Sequence, residues 1–304
     1  MMTRTDSEAA QVAVVGGAGA VGAMLAALAR SDGDEVTVID RVRPDGGAAL
    51  IGDVTAPSGP VRAVLADADT VVLALPETVA VAAVPVVDRA MRRGALLVET
   101  LSVKTRIHQA LRDGAPERPA VGINPMFAPG LGMAGRPVAA VVHHPGPVVD
   151  RYLDAVGSWG GRVVRLDAAE HDRVTASTQA LTHAAVLAFG LALADTGVDS
   201  TVLAATAPPP HTTLLALLAR VGSGVPEVYH DVQAGNPAAS EARKALASAL
   251  TRLSETVERG DDRAFADLMA DAVRPLGDRL AGYRATCAAV FEQLRDPPPE
   301  GGSP

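Results

Sequence analysis

At 304 residues the chain is long enough for two domains with cores of their own. It is 48% hydrophobic and 20% charged with a net charge of −8, which excludes a disordered chain and argues against nucleic acid as a partner. The single cysteine, Cys287, excludes an internal disulfide and fits a reducing cytoplasm.

Cys287 lies in an apolar helical stretch and reads as core packing, because reactive thiols need electropositive surroundings. The polar, acid-bearing start from Met1 to Ala10 is unlike a signal or transit peptide. No segment is expected to cross a bilayer, since none is read as an apolar run of the ~18 uncharged residues required. No metal site is expected. An acidic protein that handles an anionic substrate must concentrate positive charge locally, so single arginines are informative.

Gln11 to Val15 is a short β-branched apolar run, as expected of a buried parallel strand. Gly16-Gly17-Ala18-Gly19-Ala20-Val21-Gly22 follows at once, and then a helical stretch from Ala23 to Arg30. Gly17, Gly19 and Gly22 fit G-x-G-x-x-G in the strand-to-helix setting the motif needs. Its glycines allow a tight turn, backbone approach to a pyrophosphate and close helix–strand packing. Backbone N–H groups, including those of Ala20 and Val21, then face the phosphates at a helix N-terminus.

A second strand, Glu35 to Ile39, ends in Asp40, close to the ~20 residues past the glycines where a ribose-binding acid is expected. A carboxylate there repels a 2′-phosphate and favours NAD over NADP, while Arg41 and Arg43 soften that preference. Thr70 to Leu75 reads as another buried strand, with Leu75 and Pro76 at its cofactor end, and a helix runs on to about Arg93. Ala95 to Glu99 is a further strand leading into Ser102-Val103-Lys104. Carboxyl ends of strands bind ligands in open α/β sheets, which places Ser102 and Lys104 near the cofactor's reactive end. The alternative is that Ser102 caps a helix and Lys104 is a solvated first-turn residue. Val138 to Val142 and Arg162 to Leu166 read as later strands, with His143 and His144 as surface turn residues.

From Ala168 the pattern becomes helical, and an all-α second domain is predicted over 168–296, after a Rossmann domain over 11–167. His171, Thr175, Gln179 and His183 recur every four residues, placing a polar stripe on one face of an apolar helix from His171 to about Phe189. Such a stripe is either solvent-exposed or lines a cavity. Arg220 ends the apolar run from His211; it is either a cation at a helix C-terminus or a carboxylate clamp. Tyr229 and His230 are read as the start of the next helix. Leu246, Leu250, Leu253 and Val257 share one helical face of core or interaction type, so a homodimer through the helical domain is expected. The Pro/Gly-rich tail from Pro297 to Pro304 is expected to be disordered.

Between the two halves lies Asn124-Pro125-Met126-Phe127-Ala128-Pro129. This loop resembles the HPMFGP active-site motif of the prephenate/arogenate dehydrogenase family in all but two positions. The resemblance extends from about Val12 to Leu280. It takes in the glycine loop, Ser102-Val103-Lys104, Trp159-Gly160-Gly161, Glu170-His171-Asp172, Gln179 to His183, and Arg220 ahead of Pro226-Glu227-Val228-Tyr229. It implies a NAD-dependent oxidative decarboxylation of a cyclohexadienyl substrate, with hydride leaving ring C4 and the C1 carboxylate departing as CO₂. By resemblance Arg220 grips a substrate carboxylate, and His183 lines the same pocket. Ser102 bridges the cofactor and position 124. Met126, Gln179, Thr212 and Tyr229 are further candidates for the substrate pocket.

The family's His at position 124 takes up the proton of a C4 hydroxyl, as a general base does. Asn124 does not titrate in that range. Either the chain is an inactive, binding-only relative, or its substrate needs no base. A substrate with an amine at C4 satisfies the second case, because its nitrogen lone pair expels hydride directly. An amino-substrate dehydrogenase is therefore expected, with ordinary prephenate or arogenate oxidation and a non-catalytic dinucleotide sensor as alternatives.

Overall fold

The computed structural model describes residues 9–43 and 49–294, so the tail expected to be disordered lies outside the described residues. The described residues divide into two units: those up to Thr175 together with Ala234–Pro237, and Ala176–Gln233 together with those from Ala238 onward.

The first unit is built on β1 (Gln11–Val15), which pairs in parallel with β2 (Glu35–Asp40) on one side and β4 (Thr70–Leu73) on the other. β3 (Leu50–Ile51) extends one edge beyond β2. On the other side follow β5 (Leu96–Glu99), β6 (Ala120–Pro125), β7 (Pro137–His144) and β8 (Arg162–Arg165), giving the order β3-β2-β1-β4-β5-β6-β7-β8. β1 to β6 are parallel, whereas β7 runs antiparallel to β6 and carries β8 parallel to itself.

Both faces of this sheet are covered, which explains why its strands read as continuous apolar runs. Side chains alternate across a strand, so Ala13 and Val15 point to one face and Val12 and Val14 to the other. Ala13, Val71, Leu73 and Leu97 pack with Leu65 of α2 (Gly59–Asp67), Val84 of α3 (Glu77–Ala90) and Ile107 of α4 (Thr105–Gly114). Val14, Val72, Val98 and Ile123 pack with Leu25 of α1 (Ala20–Ser31) and Leu153 of α5 (Pro147–Ser158). This is a doubly wound Rossmann-type sheet, and its carboxyl edge gathers the ends of β1, β2, β4, β5 and β6.

The chain is helical from Ala168 to Asp195, but not as one regular helix. α6 (Ala168–Thr175) passes through a π turn, Ala176–Ala180, into α7 (Leu181–Asp195). The wider turn breaks the four-residue spacing, so the predicted single stripe from His171 to His183 does not hold its face. No Asp, Glu, Lys or Arg lies between Arg173 and Asp195. In length and hydropathy this stretch meets the requirement for a bilayer span, contrary to the sequence reading, and only 17% of its most apolar window is buried in the single chain. Thr175, Gln179 and His183 interrupt its apolar run.

The rest of the second unit is helical: α8 (Ser200–Thr206), α9 (Pro209–Gly222), α10 (Pro226–His230), α11 (Ala239–Glu258), α12 (Asp262–Val273) and α13 (Leu280–Gln293). α9 crosses α7 closely because Gly190 has no side chain; a Cβ there would stand 2.7 Å from Leu218. Tyr229 and His230 close α10 rather than opening a helix, since Pro226 already supplies the first turn. Cys287 is exposed, not packed, because the face of α13 that also carries Tyr283 and Val290 is left uncovered by this chain.

Gly22 is where α1 meets the turn after β1, and a Cβ there would come within 2.9 Å of Gly17 Cα and also meet the Gly16 carbonyl. Backbone cannot rotate away as a side chain can. Gly22→Ala is expected to cost about 1–3 kcal/mol, read as a lowered midpoint in urea denaturation with the far-ultraviolet spectrum retained.

Candidate active site

The glycine loop is shaped by packing at two positions and left bare at a third. Gly16 turns at φ 84°, donating its N–H to Ile39 O at 2.8 Å. A Cβ on Gly17 would meet Val38 at 2.6 Å, and Gly22 is closed off as described above. Gly19, by contrast, meets only Gly16 O at 3.3 Å and caps α1 with no side-chain hydrogen bond and no acid in the first turn. The N–H groups of a helix start thus face an uncovered backbone, which suits a pyrophosphate. Asp40 accepts from Ala18 N–H at 2.9 Å and from Val42 N–H at 3.2 Å, placing its carboxylate against the loop. Leu75 lies beside Gly16, Pro76 is the exposed first cap of α3, and Arg41 is exposed.

At the end of β5 the structure departs from the reading of Lys104 as a solvated first-turn residue. Its side chain is fully buried, and Nζ lies 2.8 and 2.9 Å from the two oxygens of Glu99 and 3.3 Å from Ile123 O. It is not solvated, and its ammonium is held by the Glu99 carboxylate. Lys104 is also the N-cap residue of α4, a place Ser102 does not take; Ser102 is half-buried in the turn ahead of it.

His143 is buried as well, not a surface turn residue. Its Nε2 meets Glu99 Oε1 at 2.9 Å and its Nδ1 meets His108 Nδ1 at 3.0 Å, while half-buried His144 bonds Arg118 O. Both residues belong to β7, which runs on to His144. Gly122 exists for this cluster, since any Cβ there would run into the Glu99 carboxylate and the His143 ring. Burial raises the Glu99 carboxyl, but the Lys104 ammonium and His143 outweigh it and bring it down to about 2.

Asn124 is buried on β6, opposite Ala139. Its Nδ2 lies 3.2 Å from His171 Nε2, and His171 Nδ1 lies 2.9 Å from Asp172 Oδ1. Asp172 also accepts from Lys104 N–H at 2.8 Å and, through Oδ2, from Thr105 N–H at 2.9 Å and Thr105 Oγ1–H at 2.5 Å. Asn236 donates to Asp172 O at 2.8 Å and to Thr175 Oγ1 at 3.0 Å. Burial lowers the pKa of His171 against the pull of Asp172. For Asp172 burial works upward, but the hydrogen bonds from His171 and Thr105 prevail and keep the acid below its usual range. The four-residue stripe assigns neither His171 nor Asp172 a role; the sequence signal for them is the Glu170-His171-Asp172 triple. Met126 follows on the half-buried loop, with its N–H on Pro137 O at 3.1 Å.

The second unit holds a separate group. The rings of His183 and Tyr229 meet edge to face at 4.8 Å, with room for the tyrosine because Gly224 has no side chain. His183 Nδ1 is buried without a hydrogen-bond partner among the described residues. Burial, then the nearby charge of Arg220, lowers the pKa of this imidazole. Arg220 itself is exposed in the last turn of α9. Gln179 sits half-buried in the π turn, and Thr212 turns its hydroxyl onto Pro208 O of its own helix at 3.4 Å.

A dinucleotide cradle at the carboxyl edge of a doubly wound sheet, joined to a helical unit with its own polar group, defines a two-domain dinucleotide-dependent dehydrogenase. The comparisons with known proteins give the branch. Residues 167–271 match the family model described as prephenate dehydrogenase, dimerization domain. The chain is 51% identical over 284 residues to the 4-amino-4-deoxyprephenate dehydrogenase of Streptomyces pristinaespiralis, covering 92% of this chain and 96% of that one. It is 31% identical over 211 residues to the T-protein of Enterobacter agglomerans, covering 67% of this chain and 55% of that protein. Among solved structures it resembles prephenate dehydrogenase from Aquifex aeolicus in complex with hydroxyphenyl propionate and NAD+, at TM-score 0.69 and 17% identity, over 89% of this chain and 99% of that one. It also resembles the arogenate dehydrogenase of Synechocystis, at TM-score 0.59 and 19% identity, over 88% of this chain and 98% of that one. The chain belongs to the prephenate dehydrogenase family.

Removing the Glu99 charge leaves a buried ammonium unpaired. Glu99→Gln is therefore expected to lose about 3–5 kcal/mol at pH 7, measured by urea denaturation. The folded-state pKa of about 2 lies below the ordinary glutamate value of 4.5, so this pair's contribution is fully present above about pH 4.5 and is lost as pH falls from there towards 2. The gap between wild type and Glu99→Gln should narrow over that window.

Proposed function

We propose that this protein catalyses the NAD-dependent oxidative decarboxylation of 4-amino-4-deoxyprephenate to 4-aminophenylpyruvate. The observation that carries the proposal is the 51% identity, across nearly the whole of both chains, to the Streptomyces pristinaespiralis 4-amino-4-deoxyprephenate dehydrogenase. Asn124, where the motif resemblance expects a histidine, supplies the physical reason.

The reaction removes hydride from ring C4 and CO₂ from C1, and the electron pair left by CO₂ completes the aromatic ring. NAD, when bound, accepts the hydride. From the free amine, the substrate dianion and the oxidised cofactor give a monoanionic product, CO₂ and NADH with no proton left over. An ammonium form first gives up one proton to solvent, since only the free amine has the lone pair that expels hydride. What differs between amine and hydroxyl is the cation formed at C4. Nitrogen donates its lone pair more readily than oxygen, and the resulting iminium is far less acidic than a protonated carbonyl. A hydroxyl substrate therefore gains from a base that draws off its proton as hydride leaves; an amine does not.

Asn124 is the residue we assign to the C4 nitrogen. Its amide oxygen accepts an N–H, and that bond strengthens as positive charge grows on nitrogen, which favours the transition state over the ground state. A neutral amide also avoids the repulsion that an imidazolium would exert on an ammonium form. Arg220 is assigned to a substrate carboxylate, where its planar fork gives two hydrogen bonds. His183 and Tyr229 form the apolar and polar wall beside it, and Met126, Gln179 and Thr212 complete the substrate contacts. Gly17, Gly19, Ala20, Val21 and Gly22 receive the pyrophosphate, and Leu75, Pro76 and Ser102 border the rest of the cofactor. Asp40 receives the ribose hydroxyls and disfavours a 2′-phosphate. The match to a dimerization domain and the exposure of Leu250 (63%), Val257 (58%) and Met269 (57%) support a homodimer through the helical domain. A single cysteine suits a cytoplasmic setting.

The test is NADH formation with each diene in turn. The amine is expected to exceed prephenate in kcat/KM by at least about tenfold, ~1.4 kcal/mol; equal or better turnover of prephenate would overturn the assignment. Asn124→His restores a base and should move that ratio towards prephenate by a similar factor. Arg220→Ala should raise the substrate KM by about ten- to a hundredfold, the ~1.5–3 kcal/mol of a charged hydrogen bond, with the KM for NAD little changed.

A further inference from the structure

We infer that His171 and Asp172 are positioning residues that decide which end of the Asn124 amide faces the ligand. They hold Asn124 Nδ2 and leave Oδ1 as an acceptor for the substrate's N–H. The inference rests on the function proposed above and deepens it, because it explains how the Asn124 amide comes to present its acceptor end to the substrate.

Asp172 takes hydrogen bonds from two backbone N–H groups, Lys104 and Thr105, and from the Thr105 hydroxyl. Only an ionised acid accepts from every side in this way, so the fourth contact, His171 Nδ1, must bring the proton. With Nδ1 protonated, a neutral imidazole has a bare lone pair at Nε2. The imidazole is neutral because it is fully buried and has the Lys104 ammonium close by, and these effects outweigh the attraction of Asp172 and Glu99. Nε2 then accepts, and the group 3.2 Å away on Asn124 must donate, which fixes that group as the NH₂ end. A turned amide would set its oxygen lone pair against the lone pair of Nε2.

Among the described residues no donor reaches Asn124 Oδ1, so the acceptor end is the one left for a ligand. A histidine at position 124 would meet the same lone pair. It would have to donate one ring N–H to His171 and keep its other nitrogen as the free base. The same His171–Asp172 pair thus presents an acceptor in either case. What the residue at 124 decides is whether that acceptor also takes up a proton.

The direct test is nitrogen-15 NMR of the full-length wild-type protein labelled at histidine, near pH 7.5 and without substrate. The His171 signals are assigned by their loss in His171→Gln. The expected result is the neutral Nδ1–H form, with Nε2 shifted as a hydrogen-bond acceptor; an Nε2–H form or an imidazolium would overturn the inference. A kinetic pair adds a readout that a purely structural role would not move. His171→Leu frees the amide to turn and should lower kcat on the amino substrate about thirtyfold, with the KM for NAD within about twofold. His171→Gln, whose side-chain oxygen can accept from Asn124, should recover a large part of that loss. Equal loss in both variants would count against the inference. The NMR result needs no substrate, so a wild-type enzyme that prefers prephenate yet shows the Nδ1–H form would sink the proposed function and leave the positioning intact.

Discussion

One carboxylate, that of Asp172, organises the region around Asn124. It lies in α6, yet its four hydrogen bonds come from the cap and first residue of α4 and from its neighbour His171, which in turn reaches β6. Without those donors a buried acid would be costly, and without the acid the start of α4 would have open N–H groups. Each side of the arrangement satisfies the other. The result is that a residue two positions before the Met126 loop is held by a hydrogen-bond chain rather than by packing alone.

Behind that chain lies a second polar cluster in the middle of the sheet. Glu99, Lys104, His143 and His108 form a continuous line from buried to half-buried, and Gly122 makes space for it two residues before Asn124. Pairs of this kind contribute little net stability relative to an apolar core, but they are costly to break singly. Here the ion pair also touches Ile123 O, the carbonyl next to Asn124. The strand that carries the amide is therefore fixed from behind by charge and from the side by imidazole. Pre-organisation of this sort lets a single hydrogen bond act on a developing charge without first spending energy on orientation.

Much of the first unit was legible because local rules agree there. An apolar strand, spaced glycines, a helix and an acid at the end of the next strand all point to one supersecondary unit, and β1, α1 and β2 follow it. The pattern failed where tertiary contacts overrule it. Lys104 looks solvated from its neighbours, and only the sheet brings Glu99 within reach; His143 and His144 look like turn residues because Pro145 follows, yet β7 is long enough to carry both inward or along its edge. The π turn at Ala176–Ala180 has no composition of its own, so a four-residue repeat through it looks like a single face. The apolar neighbours of Cys287 suggest burial, but α13 turns that face outward. The His171–Asn124 contact joins residues far apart in sequence and could not be seen before the fold; what the sequence did show was that position 124 lacked its base.

The account stands or falls on whether nitrogen at C4 replaces an enzymic base. The most direct measurement is a competition in one vessel: equal concentrations of 4-amino-4-deoxyprephenate and prephenate, NAD in excess, and early product analysis by chromatography. The ratio of 4-aminophenylpyruvate to 4-hydroxyphenylpyruvate gives the ratio of kcat/KM values directly. The account predicts a large excess of the aminated product, and a product mixture dominated by the hydroxylated one would contradict it.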